Sequence, residues 1–158
     1  MHPQDAPTAS DEAILREILD AMTALRNGHF TTHLPEGMRG LGGQIAHQFN
    51  QHIRMLQELK REHHRLMEEI GVTGRLGGQM VVEGTGGAWK DIVEDVNRMG
   101  GNVTGQFRDG GNVVRDLLRG ELSSRMSARC IQGEFREFRE HFNELAEHFE
   151  QRSAVAAS

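Results

Sequence analysis

Nine histidines are the residues in this 158-residue sequence best suited to chemistry. Such side chains ligate metals or carry phosphoryl groups, but their spacing here argues against both. His63 and His64 are adjacent. On a helix, neighbours project about 100° apart and do not share a ligand face. His29 and His33 are four apart, yet they fall in a stretch with an extended rather than a helical pattern. No His-Glu-x-x-His is present. A phosphoacceptor histidine would need acidic and Arg-Thr-Pro residues after it, and His64-Arg65-Leu66-Met67-Glu68 does not supply them. The glycine-rich stretches contain no Gly-Lys-Ser/Thr and do not read as phosphate loops. Cys130, the single cysteine, excludes an internal disulfide and reads as a free thiol in a connector. Trp89 reads as a packing residue at a helix start. No catalytic, metal or cofactor site is therefore expected.

Bulk composition narrows the class further. Hydrophobic residues make up 37% and aromatic residues 5%, which is thin for a thick globular core and ordinary for narrow helical bundles. A net charge of −5 provides no basic field for nucleic acid. No apolar run approaches the roughly 20 residues that span a bilayer. The polar start, Met1-His2-Pro3-Gln4-Asp5, lacks a signal-peptide layout. A soluble, cytoplasmic chain is expected.

What organises the sequence is a repeat. Gly28, Gly74 and Gly120 are 46 residues apart, each followed by an apolar residue two positions on (Phe30, Leu76, Leu122). A second apolar anchor follows at Leu34, Met80 and Met126, again 46 apart. Phe49-Asn50, Val96-Asn97 and Phe142-Asn143 recur almost in step. A fixed period of this size signals an array of one supersecondary unit.

Between these landmarks the apolar residues follow helical stripes. Leu15, Ile18, Met22 and Leu25 step by three and four, with Ser10 the expected N-cap ahead of Asp11-Glu12. Gly28 suits a left-handed C-cap. Ile45, Phe49, His52, Leu56, Leu59, His63, Leu66 and Ile70 continue the pattern through the first repeat boundary, closed by Gly71 and Gly74. Trp89, Ile92, Val96, Met99 and Val103 form a third stripe. It continues, offset once, through Phe107, Gly110, Val114 and Leu117. Phe135, Phe138, Phe142, Leu145 and Phe149 form the last.

Each unit reads as helix, connector, helix. A connector of about 14 extended residues reaches up to about 46 Å, enough to climb back along a first helix of about 24 Å. The two helices of a unit would then be parallel, with the glycine-apolar-anchor motif pinning the connector in their groove. Two such narrow stripes do not make a dry core, whereas two copies side by side supply four helices. The expected fold is all-α: three consecutive helix–connector–helix units forming stacked parallel four-helix bundles as a homodimer. The units are expected at 13–59, 60–106 and 107–152, between a disordered leader at 1–12 and a frayed tail at 153–158. In a parallel homodimer His52 and His63 would face their twins, so charging them predicts mild acid destabilisation of the first unit.

The pattern resembles the HAMP domain, the relay module of bacterial sensor kinases and chemoreceptors, and more closely the tandem arrays of soluble hybrid histidine kinases. Three motifs carry the resemblance over residues 13–152. They are the three glycine-apolar-anchor sets, the helix-two opening Gly133-Glu134-Phe135 before Phe142-Asn143, and Trp89-Lys90-Asp91-Ile92 to Val96-Asn97-Arg98-Met99. The resemblance implies a non-catalytic module that passes conformational change from an input to an output domain, with a histidine kinase or response-regulator protein as partner. A structural coiled coil that binds a partner helix is the alternative. Departures from the pattern include Gln44 where unit one should carry the helix-two glutamate, and Gly84, Gly86 and Gly87 in unit two. Gly100, Gly101, Gly105, Gly110 and Gly111 also stand where helix formers are expected, which makes that junction either a hinge or a defect.

Overall fold

The computed structural model describes residues 9–127 and 132–156. Cys130, most of the expected leader and the last two residues of the expected tail lie outside them. Four α-helices account for most of the described chain: α1 (Ala9–Arg26), α2 (Gly40–Met67), α3 (Ala88–Leu118) and α4 (Glu134–Ala156). A five-residue π-helical turn, Glu68–Val72, extends α2. No strand occurs among the described residues, so the chain is all-α as expected. None of the helices is long and apolar enough to cross a membrane.

Helix ends follow the glycines. Gly28 has φ +81° and Gly120 has φ +90°, a region that side chains with a Cβ rarely adopt. That conformation lets two N–H groups fold back onto orphan carbonyls. Gly28 donates to the Leu25 carbonyl (2.9 Å) and His29 to that of Ala24 (2.9 Å). Gly120 donates to Leu117 (3.1 Å) and Glu121 to Asp116 (2.9 Å), the same Schellman closure. The middle cap is wider. Arg75 donates to the Glu69 carbonyl, one residue further back, because the π-helical turn inserts a residue there.

Three boundaries differ from the sequence reading. α2 begins at Gly40, ahead of Ile45, where its stripe was expected to open. α1 begins at Ala9, so Ser10 lies inside the helix rather than ahead of it. α4 continues to Ala156, through most of the expected tail.

By compactness the chain divides into Met1–Glu94 and Asp95–Ser158, with the division falling inside α3. In the first unit Ile18, Ala21, Leu34 and Ala46 are buried together, with Ile14, Met38 and Phe49 packed against them. In the second, Val113, Met126 and Ala146 form the buried cluster, with Leu117 and Phe142 beside it. Each cluster joins two helices and the connector between them.

α3 runs unbroken through all five of its glycines. Gly101 and Gly111 are exposed, and a Cβ added at either meets nothing within 4 Å. Replacing each by Ala should raise stability by about 1 kcal/mol, read as a higher urea midpoint. A lower midpoint would mean that another chain lies against that face.

Candidate functional site

In the first and third repeats the asparagine and the buried anchor turn out to be one device. Leu34 donates its N–H to Asn50 Oδ1 (2.8 Å), and Asn50 Nδ2 donates to the Leu34 carbonyl (2.8 Å). Asn50 is 3% exposed. At the other end of the chain Met126 donates to Asn143 Oδ1 (2.8 Å), and Asn143 Nδ2 reaches the Met126 carbonyl at 3.4 Å. A primary amide carries one donor and one acceptor side by side, so it can satisfy both backbone groups of one extended residue. A connector strand has no sheet partner. This clasp replaces one, so burying the anchor does not orphan its peptide groups.

Further tethers fix the direction of each connector. Gln57 Nε2 donates to the Phe30 carbonyl (2.6 Å). Phe30 thus meets Gln57 while the later Leu34 meets the earlier Asn50. The connector therefore runs antiparallel to α2. Since it starts at the end of α1 and finishes at the start of α2, those two helices are parallel. In the second unit Arg125 pairs with Glu150 (2.7 Å) and Met126 with Asn143, in the same sense.

The connector leaving α2 carries a charged hold. Glu62, on α2 and 8% exposed, accepts a hydrogen bond from the Val81 N–H (3.2 Å). Arg65 binds Glu62 at 2.8 Å and Glu69 at 2.9 Å, and donates to the Gln79 carbonyl. The Arg65 guanidinium, more than the Val81 N–H, holds the Glu62 carboxyl below its ordinary 4.5, against an opposing desolvation. Glu62 and Glu69 in turn raise the pKa of Arg65. Sequence reading missed this cluster, because an i, i+3 and i, i+4 charge set on a helix usually reads as solvated surface.

The anchors separate into two grades. Leu34, Met80 and Met126 are 2%, 3% and 4% exposed, whereas Phe30, Leu76 and Leu122 are half-buried. Of the expected bundle core, Ile18 and Leu56 are buried within the chain. Leu25, Phe49, Trp89, Val96, Leu117 and Phe142 are half-buried. Leu15, Met22, Ile45, Ile92, Met99, Val114, Phe138 and Leu145 are exposed. Glu134, the first residue of α4, is exposed and lines an apolar hollow of about 470 Å³ with Gln106, Phe107, Phe135 and Phe138. His52 packs edge-on against Trp89 with ring centroids 5.7 Å apart, and His63 is exposed. Among the described residues no three His, Cys, Asp or Glu side chains converge as metal ligands would.

A second glycine series also went unread. Gly40, Gly87 and Gly133 have φ of +61°, +53° and +64°, and stand at or just before the starts of α2, α3 and α4. Each precedes its asparagine (Asn50, Asn97, Asn143) by the same ten positions. Gly87, one of the trio that looked like a departure, is thus where the chain turns from connector into helix.

Residues 85–151 match the family model of the HAMP domain. This HAMP-like stretch takes in α3, the connector after it, the Met126–Asn143 clasp and most of α4. The Leu34–Asn50 clasp lies outside the matched residues and has the same bonding.

Proposed function

We propose that the chain is a non-catalytic relay: three HAMP-like units in tandem, at 13–59, 60–106 and 107–152, working as a parallel homodimer. HAMP domains relay signals within dimeric sensor proteins. The observation that carries the reading is the repetition of one clasp, Leu34–Asn50 and Met126–Asn143, inside and outside the matched stretch. Exposed apolar side chains on every helix support the dimer: Leu15, Leu19 and Met22 on α1; Leu41 and Ile45 on α2; Phe107 and Val114 on α3; Phe138, Leu145 and Phe149 on α4. Burial of a large aliphatic or aromatic side chain contributes about 1.5–3 kcal/mol, so a second copy has ample driving force. A relay needs two packings of similar energy, and helices coupled through clasped connectors offer discrete alternatives.

Single cysteines at Met22 and at Leu145, in a Cys130→Ser background, test the geometry. Both positions are exposed in one chain. A parallel dimer forms symmetric disulfides at each. Failure to cross-link at both, in a chain that stays helical, contradicts it. Placed upstream of a dimeric kinase in place of its own relay module, the chain should support output, and Asn143→Ala should shift it. Output unchanged with the clasp broken would favour a scaffold.

A further inference from the structure

We propose, resting on the homodimer reading, that the apolar hollow at the start of α4 seats a second copy of this chain, and that Gln106 on its wall pairs with the partner's Gln106 and fixes the register of the two. The first observation is the stripe of α3. Val96, Met99, Val103, Gln106, Gly110, Val113 and Leu117 step 3, 4, 3, 4, 3, 4. The offset expected at Phe107 closes once Gln106 and Val113 take their places, and α3 is one unbroken helix. The result is a regular heptad seam, two positions per seven residues, with one amide in it.

That seam is the inward face. Gln106, Gly110 and Val113 are all buried. Val113 packs with Met126 and Ala146, and a Cβ at Gly110 would touch Met126 and Phe138. One turn before Gly110 the wall is incomplete. There Gln106 lines the hollow of about 470 Å³ with Phe107, Glu134, Phe135 and Phe138. The three phenyl rings are exposed. Gln106 is 5% exposed, yet no hydrogen bond of its amide occurs among the described residues. No fully shielded side-chain N or O among them lacks a partner, so the amide opens into the hollow rather than into packed protein.

A second copy fits this lining. Three phenyl rings around one amide call for an apolar cover that brings a donor and an acceptor with it. All five lining residues fall within the HAMP match, a family that works in dimers. Exposed Val114, Leu145 and Phe149 continue the apolar surface along α3 and α4. In a parallel dimer in register, each Gln106 meets its own counterpart near the axis. A primary amide has both a donor and an acceptor, so two of them satisfy each other. A slip of one heptad would set Gln106 against Met99 or Val113 and leave both amides unpaired in apolar surroundings. One polar seam position therefore selects the register, at a cost in stability.

Mixing charged variants of the full chain tests the pairing. Gln106→Glu and Gln106→Lys chains, both with Glu134→Gln so that no lining carboxylate competes, are unfolded together, refolded and counted by native mass spectrometry. Random mixing gives as much heterodimer as the two homodimers together. Pairing in register predicts a heterodimer excess of about tenfold at low salt, shrinking at about 1 M salt. Where the charged chains do not fold, Gln106→Leu decides. It removes the amide from the seam, so the dimer dissociation constant should fall about tenfold. A random mixture of folded dimers, or in the second case a Gln106→Leu dimer no tighter than the unsubstituted one, would overturn the pairing and leave the homodimer standing. Unsubstituted protein that sediments as a single chain would overturn both.

Discussion

Asn50→Ala should destabilise the protein by about 2–4 kcal/mol, far above the cost of a surface substitution. The lost side chain is small, so the size of the effect comes from what it leaves behind. The N–H and carbonyl of Leu34, both bonded to Asn50 at 2.8 Å, lose their partners in a buried place. An unsatisfied buried backbone group costs about 1–3 kcal/mol. Asn143→Ala should cost less, about 1–2 kcal/mol, because Asn143 is half-buried and its second bond is long at 3.4 Å. Asn50→Asp discriminates packing from pairing. It preserves volume and accepts from the Leu34 N–H, but at neutral pH it turns a carboxylate oxygen toward the Leu34 carbonyl. It should therefore lose most of what Asn50→Ala loses. Urea midpoints by circular dichroism read all three. Near-native stability of Asn50→Asp would mean that the amide is not paired as described.

Leu34→Ala is expected to cost about 2–5 kcal/mol, the range for a large aliphatic side chain removed from a packed site. Leu34 is 2% exposed and sits among Ile18, Ala21 and Ala46, with Phe49 against the cluster. Met126→Ala should behave similarly against Val113 and Ala146. Leu122→Ala, removing a half-buried residue of the same repeat, should cost clearly less than Met126→Ala. The sequence reading weighted Phe30 with Leu34 and Leu122 with Met126 equally, because spacing alone does not rank burial. Equal losses at Leu122 and Met126 would mean that the first apolar position of the motif is also covered, as a second chain could do.

Helix identity was legible because the stripes are long and the stopping glycines are unambiguous. Gly28 and Gly120 have the left-handed φ that their positions required. The return of the connector along its helix followed from chain length, and the order Phe30–Gln57, Leu34–Asn50 agrees with it. What stayed hidden was pairing across the unit. Asn50 and Leu34 were both singled out, yet nothing local links them. Only the near-constant separation of anchor and asparagine in all three repeats, Leu34 to Asn50, Met80 to Asn97 and Met126 to Asn143, carried that signal. The Glu62–Arg65–Glu69 cluster was hidden for a different reason. Its partners on the connector are a backbone N–H and a carbonyl, which leave no trace in residue type. The inward face of α1 was also finer than the stripe suggested. Ile14, Ile18 and Ala21 serve the chain's own core, while Leu15, Leu19 and Met22 point out of it. A helix that serves two neighbours carries two overlapping stripes, and periodicity alone does not assign either to a neighbour.

The account turns on those outward faces being covered by a twin, and sedimentation equilibrium of the full chain at micromolar concentration measures this most directly. Twice the 17.7 kDa chain mass, with α-helical circular dichroism, is the predicted result. A single-chain mass in a protein that keeps its full helicity would contradict it.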